Sequence, residues 1–392
     1  MAIQIIEAQE AFPDTVNQSI FLAGPSPRQE QYDSWREDMI FSLEQAGFDG
    51  HIYVPVSFSR ELKNKDSYID QIAWEEEARE RADVILFWVD RKIEEGFLGL
   101  TTNTEFGMDL ATSKVFYGRP DSSDKVRYLD EMYQKFLVSS GRRTKSGCIA
   151  NSMRQIADDV VDYLNSFKKT ERTGGETYIP LHVWNLPNIQ SWYESLLESG
   201  HKLESAKVRY EFMRRNNLFL VTLHPKIWIP EENRYKGNEI IISRRDISSI
   251  LAYTDDEVVL VKEFRSPVNN QEGYVYELAG GSSFDEGMNP LENAREEFWE
   301  EVGVYISDIN RFHKLDERQL LSTVSTHKAH LYGVKLEKEE MEKIKEIAKI
   351  KEKQTVILDD DEHTYIIVSK KEDIAKLPID FATMGMIYSQ MN

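Results

Sequence analysis

Apolar residues in the first 170 positions come in short continuous runs separated by stretches of helical spacing. Ser19-Ile20-Phe21-Leu22-Ala23 stops at Gly24-Pro25, and Ile52 to Val56 forms a second run. Asp83 to Asp90 reads DVILFWVD, apolar between carboxylates, and Lys114 to Gly118 follows. Such runs suit strands buried on both faces of a parallel sheet. Between them, Trp35, Met39, Leu43 and Ala46 recur at helical spacing, as do Ile69, Ile72, Ala73 and Ala78 within Tyr68 to Ala82. Leu100 to Ser113 and Ile149 to Phe167 complete the helices. Alternating strands and helices predict a doubly wound, flavodoxin-like α/β unit, with any ligand at the carboxyl ends of the strands.

The pattern then changes. KKTERTGGET, Lys168 to Thr177, is polar and aperiodic and is expected to be a linker. Pro180 to Arg214 is expected to be helical, with Trp192, Leu196, Leu203, Val208 and Phe212 inside, packing between two domains or supporting a homo-oligomer. From Leu218 onward short strands are expected at 218–223, 239–243, 248–253 and 257–263, with Asp255-Asp256 as a hairpin turn. Tyr276 to Tyr305 carries paired glycines, Gly280 and Gly281, and then a helix with Asn289 as N-cap, Pro290 first and Gly303 last. Leu291, Ala294, Phe298 and Val302 form its apolar face, and Glu297, Glu300 and Glu301 follow at i, i+3 and i+4. Further strands at 329–336 and 364–368, a helix at 341–353 and a closing helix near 379–387 give domains at 1–168 and 205–392, joined by 169–204.

The bulk numbers narrow the function. A net charge of −20 without a long basic tract argues against duplex nucleic acid and anionic membrane as partners. One cysteine, Cys148, excludes an intrachain disulfide framework. No apolar run approaches the ~20 residues of a bilayer span, and MAIQIIEAQEAFPD lacks the regions of a signal peptide. A cytoplasmic protein is expected.

FLAGP at 21–25, WREDM at 35–39, WEEEARERADVILFWVD at 74–90 and TNTEFGMDLA at 102–111 resemble the nucleoside 2-deoxyribosyltransferase-like superfamily. The resemblance implies N-glycosidic bond cleavage or exchange, with Glu105 at a helix start attacking the anomeric carbon. The family's carboxylate six residues earlier is Gly99 here, leaving Asp90 to orient a base or ribose. Gly24 and Pro25 shape the binding edge, Arg36 is placed to meet a phosphate, and Trp88 or Phe21 to pack on a base.

Glu297 to Val304, EFWEEVGV, resembles the C-terminal half of the Nudix box. The resemblance implies an α/β/α sandwich in which Glu297, Glu300 and Glu301 hold Mg²⁺ against a substrate's phosphates, Glu300 and Glu301 serving catalysis. The loop after Gly281 is one residue longer than the pattern, and Met288 and Glu296 stand where it has Glu and Arg. The run VVLVKEFRSP at 258–267 with YELAGG at 276–281 resembles the ADP-ribose pyrophosphatase branch. That implies a pyrophosphate contact for Arg265, a nucleoside contact for Glu277, and a late carboxylate at Glu362 in the acidic run 359–362. Together the two resemblances imply a nucleotide-processing hydrolase for NAD, ADP-ribose or a related nucleoside diphosphate derivative. The alternative is a second domain that senses nucleotide or scaffolds an oligomer.

Overall fold

The computed structural model describes residues 3–26, 34–56, 65–96, 98–142, 144, 147, 149–214, 217–282, 288–351 and 363–390. Glu362 with the rest of 359–362, Gly287 and Cys148 lie outside them. The chain divides into two compact units, Met1–Ser243 and Arg244–Asn392.

The first unit is built on five parallel strands: β1 (Gln4–Glu7), β2 (Ser19–Ala23), β3 (His51–Val54), β4 (Val84–Trp88) and β5 (Val115–Gly118). Their order is β1-β3-β2-β4-β5. Every position of β2 to β5 is buried, because helices cover both faces. Side chains alternate between those faces. Ile20, Leu22, Leu86 and Trp88 meet α1 (Trp35–Gln45) and the last helix of the layer, Met153–Asn165. Phe21, Ala23, Ile85 and Phe87 meet α2 (Lys65–Arg81), α3 (Leu100–Asp109) and α4 (Arg127–Ser140). Helix α5 (Met153–Asn165) starts later than expected, where the Ser152 side chain accepts from Gln155 N–H at 3.3 Å.

The expected linker is instead stitched into this unit. Arg172–Thr173 pairs antiparallel with Thr15–Val16, and Arg172 is buried on Asp83 at the start of β4. Gly175 passes so close to the following segment that an added Cβ would sit 2.2 Å from the Leu203 carbonyl oxygen. The expected helical stretch to Arg214 also divides: α6 (Pro187–Glu198) is helical, whereas β6 (Lys202–Arg214) forms a long antiparallel hairpin with β7 (Asn217–Ile229). Val183, Trp184, Ile189, Leu203, Val221 and Leu223 share one small core. The polar and mixed segment after 168 thus completes the first unit, and the boundary falls at 243/244.

The second unit is an α/β/α sandwich, the layer order that the resemblance implies. Its sheet contains β8 (Ile247–Tyr253), β9 (Glu257–Phe264), β10 (Tyr274–Glu277), β11 (Ala279–Gly281), β12 (His313–Gln319), β13 (Lys328–Lys335) and β14 (Thr364–Lys370). Strands β8 and β13 run parallel; β9 pairs antiparallel with both β10 and β14. On one face Ile250, Ala252 and Val259 pack on α7 (Pro290–Val302) and α8 (Lys338–Lys351). On the other, Leu251, Val258 and Leu260 meet Ile387 of α9 (Phe381–Tyr388), whose N-cap Asp380 accepts from Thr383 N–H at 2.7 Å.

Candidate active site

In the first unit the carboxyl ends of β2 and β4 approach so closely that only glycine fits at residue 24. Its φ is +148°, and a Cβ there would fall 2.2 Å from the Trp88 carbonyl oxygen. Trp35 Nε1 donates to the Pro25 carbonyl at 2.8 Å. The buried Arg36 guanidinium donates to the carbonyls of Leu22 (3.4 Å) and Gly24 (2.9 Å) and to Ser26 Oγ (3.0 Å). Burial pushes this guanidinium down to about 10, despite the nearby carboxylates of Glu75 and Glu105. Arg36 therefore spends three of its five N–H donors on fixing the turn after β2, which limits what it offers to a phosphate.

This turn is one wall of a cavity of about 380 Å³. Phe21, Gly24, Pro25 and Arg36 line it together with Gln71 and Glu75 from α2 and with Gly99 to Thr102, Thr104 and Glu105 around α3. Glu105 sits in the middle of α3 rather than at its start. Burial, then the neighbouring Glu75, lifts its carboxyl to about 7; Arg79 and Arg36 oppose the rise. Burial raises Glu75 as well, and Gln71 Nε2 braces it, donating to Glu75 Oε1 at 2.6 Å and to the Pro55 carbonyl at 2.7 Å. Arg79 is clamped on both oxygens of Asp109 at 3.1 Å. A second cavity of about 250 Å³ shares Glu76, Arg79 and Met108 with the first and is closed by Ala206, Lys207 and Val208 of β6.

The sequence reading therefore brings Gly24, Pro25, Arg36, Phe21 and Glu105 together, but not Asp90 or Trp88. Neither lines the cavity. Trp88 alternates onto the α1/α5 face and packs in that core, and Asp90 lies 3.8 Å from Lys92. Glu75, Arg79 and Gln71 were not anticipated. The available signal was the i, i+4 spacing of Gln71, Glu75 and Arg79, which puts them on one face of α2.

In the second unit the Gly280–Gly281 end of β11 is pressed against the acidic helix α7. Glu301 accepts the Gly280 N–H at 2.9 Å, and a Cβ on Gly281 would fall 2.5 Å from Glu297 Oε1. Burial, then Glu297, holds the Glu301 carboxyl well above the usual carboxylate range. Arg265 Nη2 bridges Glu263 (2.8 Å) and Glu277 (3.1 Å), so both residues read as substrate contacts do meet. Glu300 and Glu296 are exposed, while the Arg295 guanidinium stacks over Tyr305 at 5.3 Å. Among the described residues no group of three His, Cys, Asp or Glu side chains is arranged to hold a metal ion. Of the three carboxylates, Glu300 is exposed, Glu297 is half-buried and Glu301 is half-buried and bound to the Gly280 N–H.

Residues 17–122 match the family described as "Nucleoside 2-deoxyribosyltransferase like". This part of the first unit is a domain of that kind. A solved structure described as an ADP compounds hydrolase aligns with 48% of this chain and 90% of its own, at 13% identity and a TM-score of 0.34. A likeness of that size carries no argument about substrate. A search of curated proteins gives no match. No helix among the described residues is long and apolar enough to cross a membrane.

Proposed function

We propose that the first unit cleaves the N-glycosidic bond of a nucleoside, nucleotide or NAD-like substrate. The observation that carries this reading is the pairing of two half-buried carboxyls, Glu105 and Glu75, both raised by desolvation, in one cavity of the deoxyribosyltransferase-like domain. Two carboxyls raised by desolvation in one pocket do not both ionise readily, so the pair shares a proton, and the reactive form carries it on Glu75 and leaves Glu105 as the carboxylate. The Glu105 carboxylate attacks C1′ of the sugar as the C1′–N bond breaks, and Glu75 delivers its proton to the departing base of a nucleoside or nucleotide; the pyridinium of an NAD-like substrate leaves as a neutral base, needs no proton and is cleaved with Glu75 already ionised. Water then attacks C1′ and gives its proton to Glu75, restoring the Glu105 carboxylate; a second base in place of water makes the reaction a transfer. Arg79, oriented by Asp109, offsets the negative charge around Glu105. The test is incubation with nucleosides, nucleoside monophosphates and NAD without added metal, products being identified by mass. Free base is expected, abolished by Glu105→Gln; no base from any of these substrates rejects the reading.

A second reading concerns the second unit. The Arg265–Glu277 pair, at the positions where the resemblance has its pyrophosphate and nucleoside contacts, supports a nucleoside diphosphate-binding module. Such a module would report nucleotide to the first unit.

A further inference from the structure

Three cavities of the first unit run into one another. The cavity of Glu105 shares Glu76, Arg79 and Met108 with the second cavity. The second shares Tyr178, Ala206 and Lys207 with an open groove of about 680 Å³, and Glu76 lines all three. The resulting trough starts at the paired carboxyls, passes Arg79 and ends on the β6–β7 hairpin. The hairpin is fixed to the body of the unit: Glu211 of β6 is buried against His182, its Oε1 2.8 Å from Nε2. None of the hairpin belongs to the stretch 17–122 that matches the family.

The charge along the trough changes from acidic to basic. Lys114, buried in the wall of the second cavity, donates from Nζ to the carbonyls of Arg79 (2.5 Å) and Glu80 (3.1 Å), which leaves one of its three N–H donors. Lys207 pairs with Glu80 where both are partly exposed, a contact that costs little to exchange. In the register of β6 with β7, Lys207 lies opposite His224 and Ser205 opposite Lys226, so Lys207, His224 and Lys226 share one face. Arg209 Nη2 reaches His224 Nδ1 at 3.0 Å. Lys226 Nζ sits 4.4 Å over the ring of Tyr235, which is 48% exposed. Of the carboxylates along this part, Glu77 is held by Arg81 Nε at 2.9 Å and the Tyr178 hydroxyl at 2.7 Å, while the exposed Glu76 suits a sugar hydroxyl.

We propose that this trough holds a dinucleotide, a nucleotide joined through a pyrophosphate to a second nucleoside. The proposal rests on the reading of the first unit as a glycosidase and names its substrate class. The glycosidic bond lies at Glu105, the pyrophosphate meets Lys114 and Lys207, and the second base packs on Tyr235 beside Lys226. A substrate confined to the first cavity would reach none of these four residues, which line only the other two or flank the groove. The carboxyls at the start of the trough repel a pyrophosphate, so the substrate enters in one direction. The substrate is accordingly NAD-like in preference to a nucleoside or a mononucleotide.

The test uses the full-length protein carrying Glu105→Gln, to stop turnover, and Arg265→Ala, to remove the nucleotide contact of the second unit. Calorimetry compares NAD with nicotinamide mononucleotide. NAD is expected to bind roughly tenfold to a hundredfold more tightly. Lys207→Ala with Lys226→Ala, both at exposed positions, should bring that ratio toward one and leave the mononucleotide affinity in place. Tyr235→Ala should weaken NAD roughly tenfold and spare the mononucleotide. A ratio near one, no measurable binding of either ligand, or a ratio unmoved by both sets of substitutions overturns the dinucleotide trough. A short single-stranded oligonucleotide that binds more tightly than NAD overturns it in favour of a nucleic-acid groove. Failure of the glycosidase reading is recorded separately, as absence of free base from the unsubstituted protein.

Discussion

Arg172 donates from Nη1 to Asp83 Oδ1 at 2.8 Å and from Nη2 to Asp83 Oδ2 at 2.6 Å, with both side chains out of water. Asp83 also accepts the backbone N–H groups of Ser19 (2.9 Å) and Leu181 (2.7 Å). One carboxylate therefore ties the starts of two central strands to a segment about a hundred residues further along.

Removing one partner of such a pair leaves a buried charge uncompensated. Arg172→Met is expected to destabilise the first unit by about 3–5 kcal/mol, seen as a lower denaturant midpoint for that unit's transition. The second unit's transition should not move. An unchanged first midpoint would show that the segment after residue 168 is dispensable for the fold.

The Glu105–Glu75 pair predicts a pH dependence. The Glu105 carboxyl is raised from an ordinary 4.5 to about 7. A raised carboxyl favours the neutral folded form, so its contribution to stability is fully present below about 4.5 and is lost as pH rises through about 7. Base release from a nucleoside or nucleotide requires the Glu105 carboxylate together with a protonated Glu75, so it should rise as Glu105 ionises and fall as Glu75 loses its proton. Glu75→Gln removes the largest charge contribution to that rise, so the surviving activity should gain its carboxylate limb at lower pH. A limb that stays in place in Glu75→Gln would mean that the two groups do not share their charge.

For the second unit, incubation of the Glu105→Gln protein with ADP-ribose and Mg²⁺ is expected to give no AMP. ADP-ribose at a hundredfold excess over its Kd should stabilise that unit by about 2.7 kcal/mol. Arg265→Ala should remove the shift in melting temperature. Metal-dependent AMP that disappears in Glu300→Gln with Glu301→Gln would instead establish a hydrolase.

Strands β2 to β5 were legible because burial on two faces writes itself as unbroken apolar sequence. Strand β12 was not: it reads HKLDERQ, and its side chains are exposed or half-buried, so no apolar periodicity marks it. Strand β6 was misread for a different reason. Its register with β7 shifts at three places, between Leu203 and Ser205, Val208 and Tyr210, and Phe212 and Met213. Each shift breaks the two-residue alternation, and the surviving spacing of Leu203, Val208 and Phe212 imitates a helix. Of the site, Glu105 stood out beside Phe106-Gly107, whereas Glu75 was hidden within the acidic run of α2.

The strand β6 that closes the second cavity also belongs to the smallest piece of this protein that keeps the first unit whole. Excising the chain at residue 168, where composition invites the cut, would strip Arg172 from Asp83. It would also remove Ala206, Lys207 and Val208 from beside Met108 and Asp109. The fragment would keep the whole stretch that matches the family, 17–122, yet the side of α3 next to Glu105 would stand open to water. The folded unit is therefore larger than the domain recognisable within it, and its end lies beyond the hairpin.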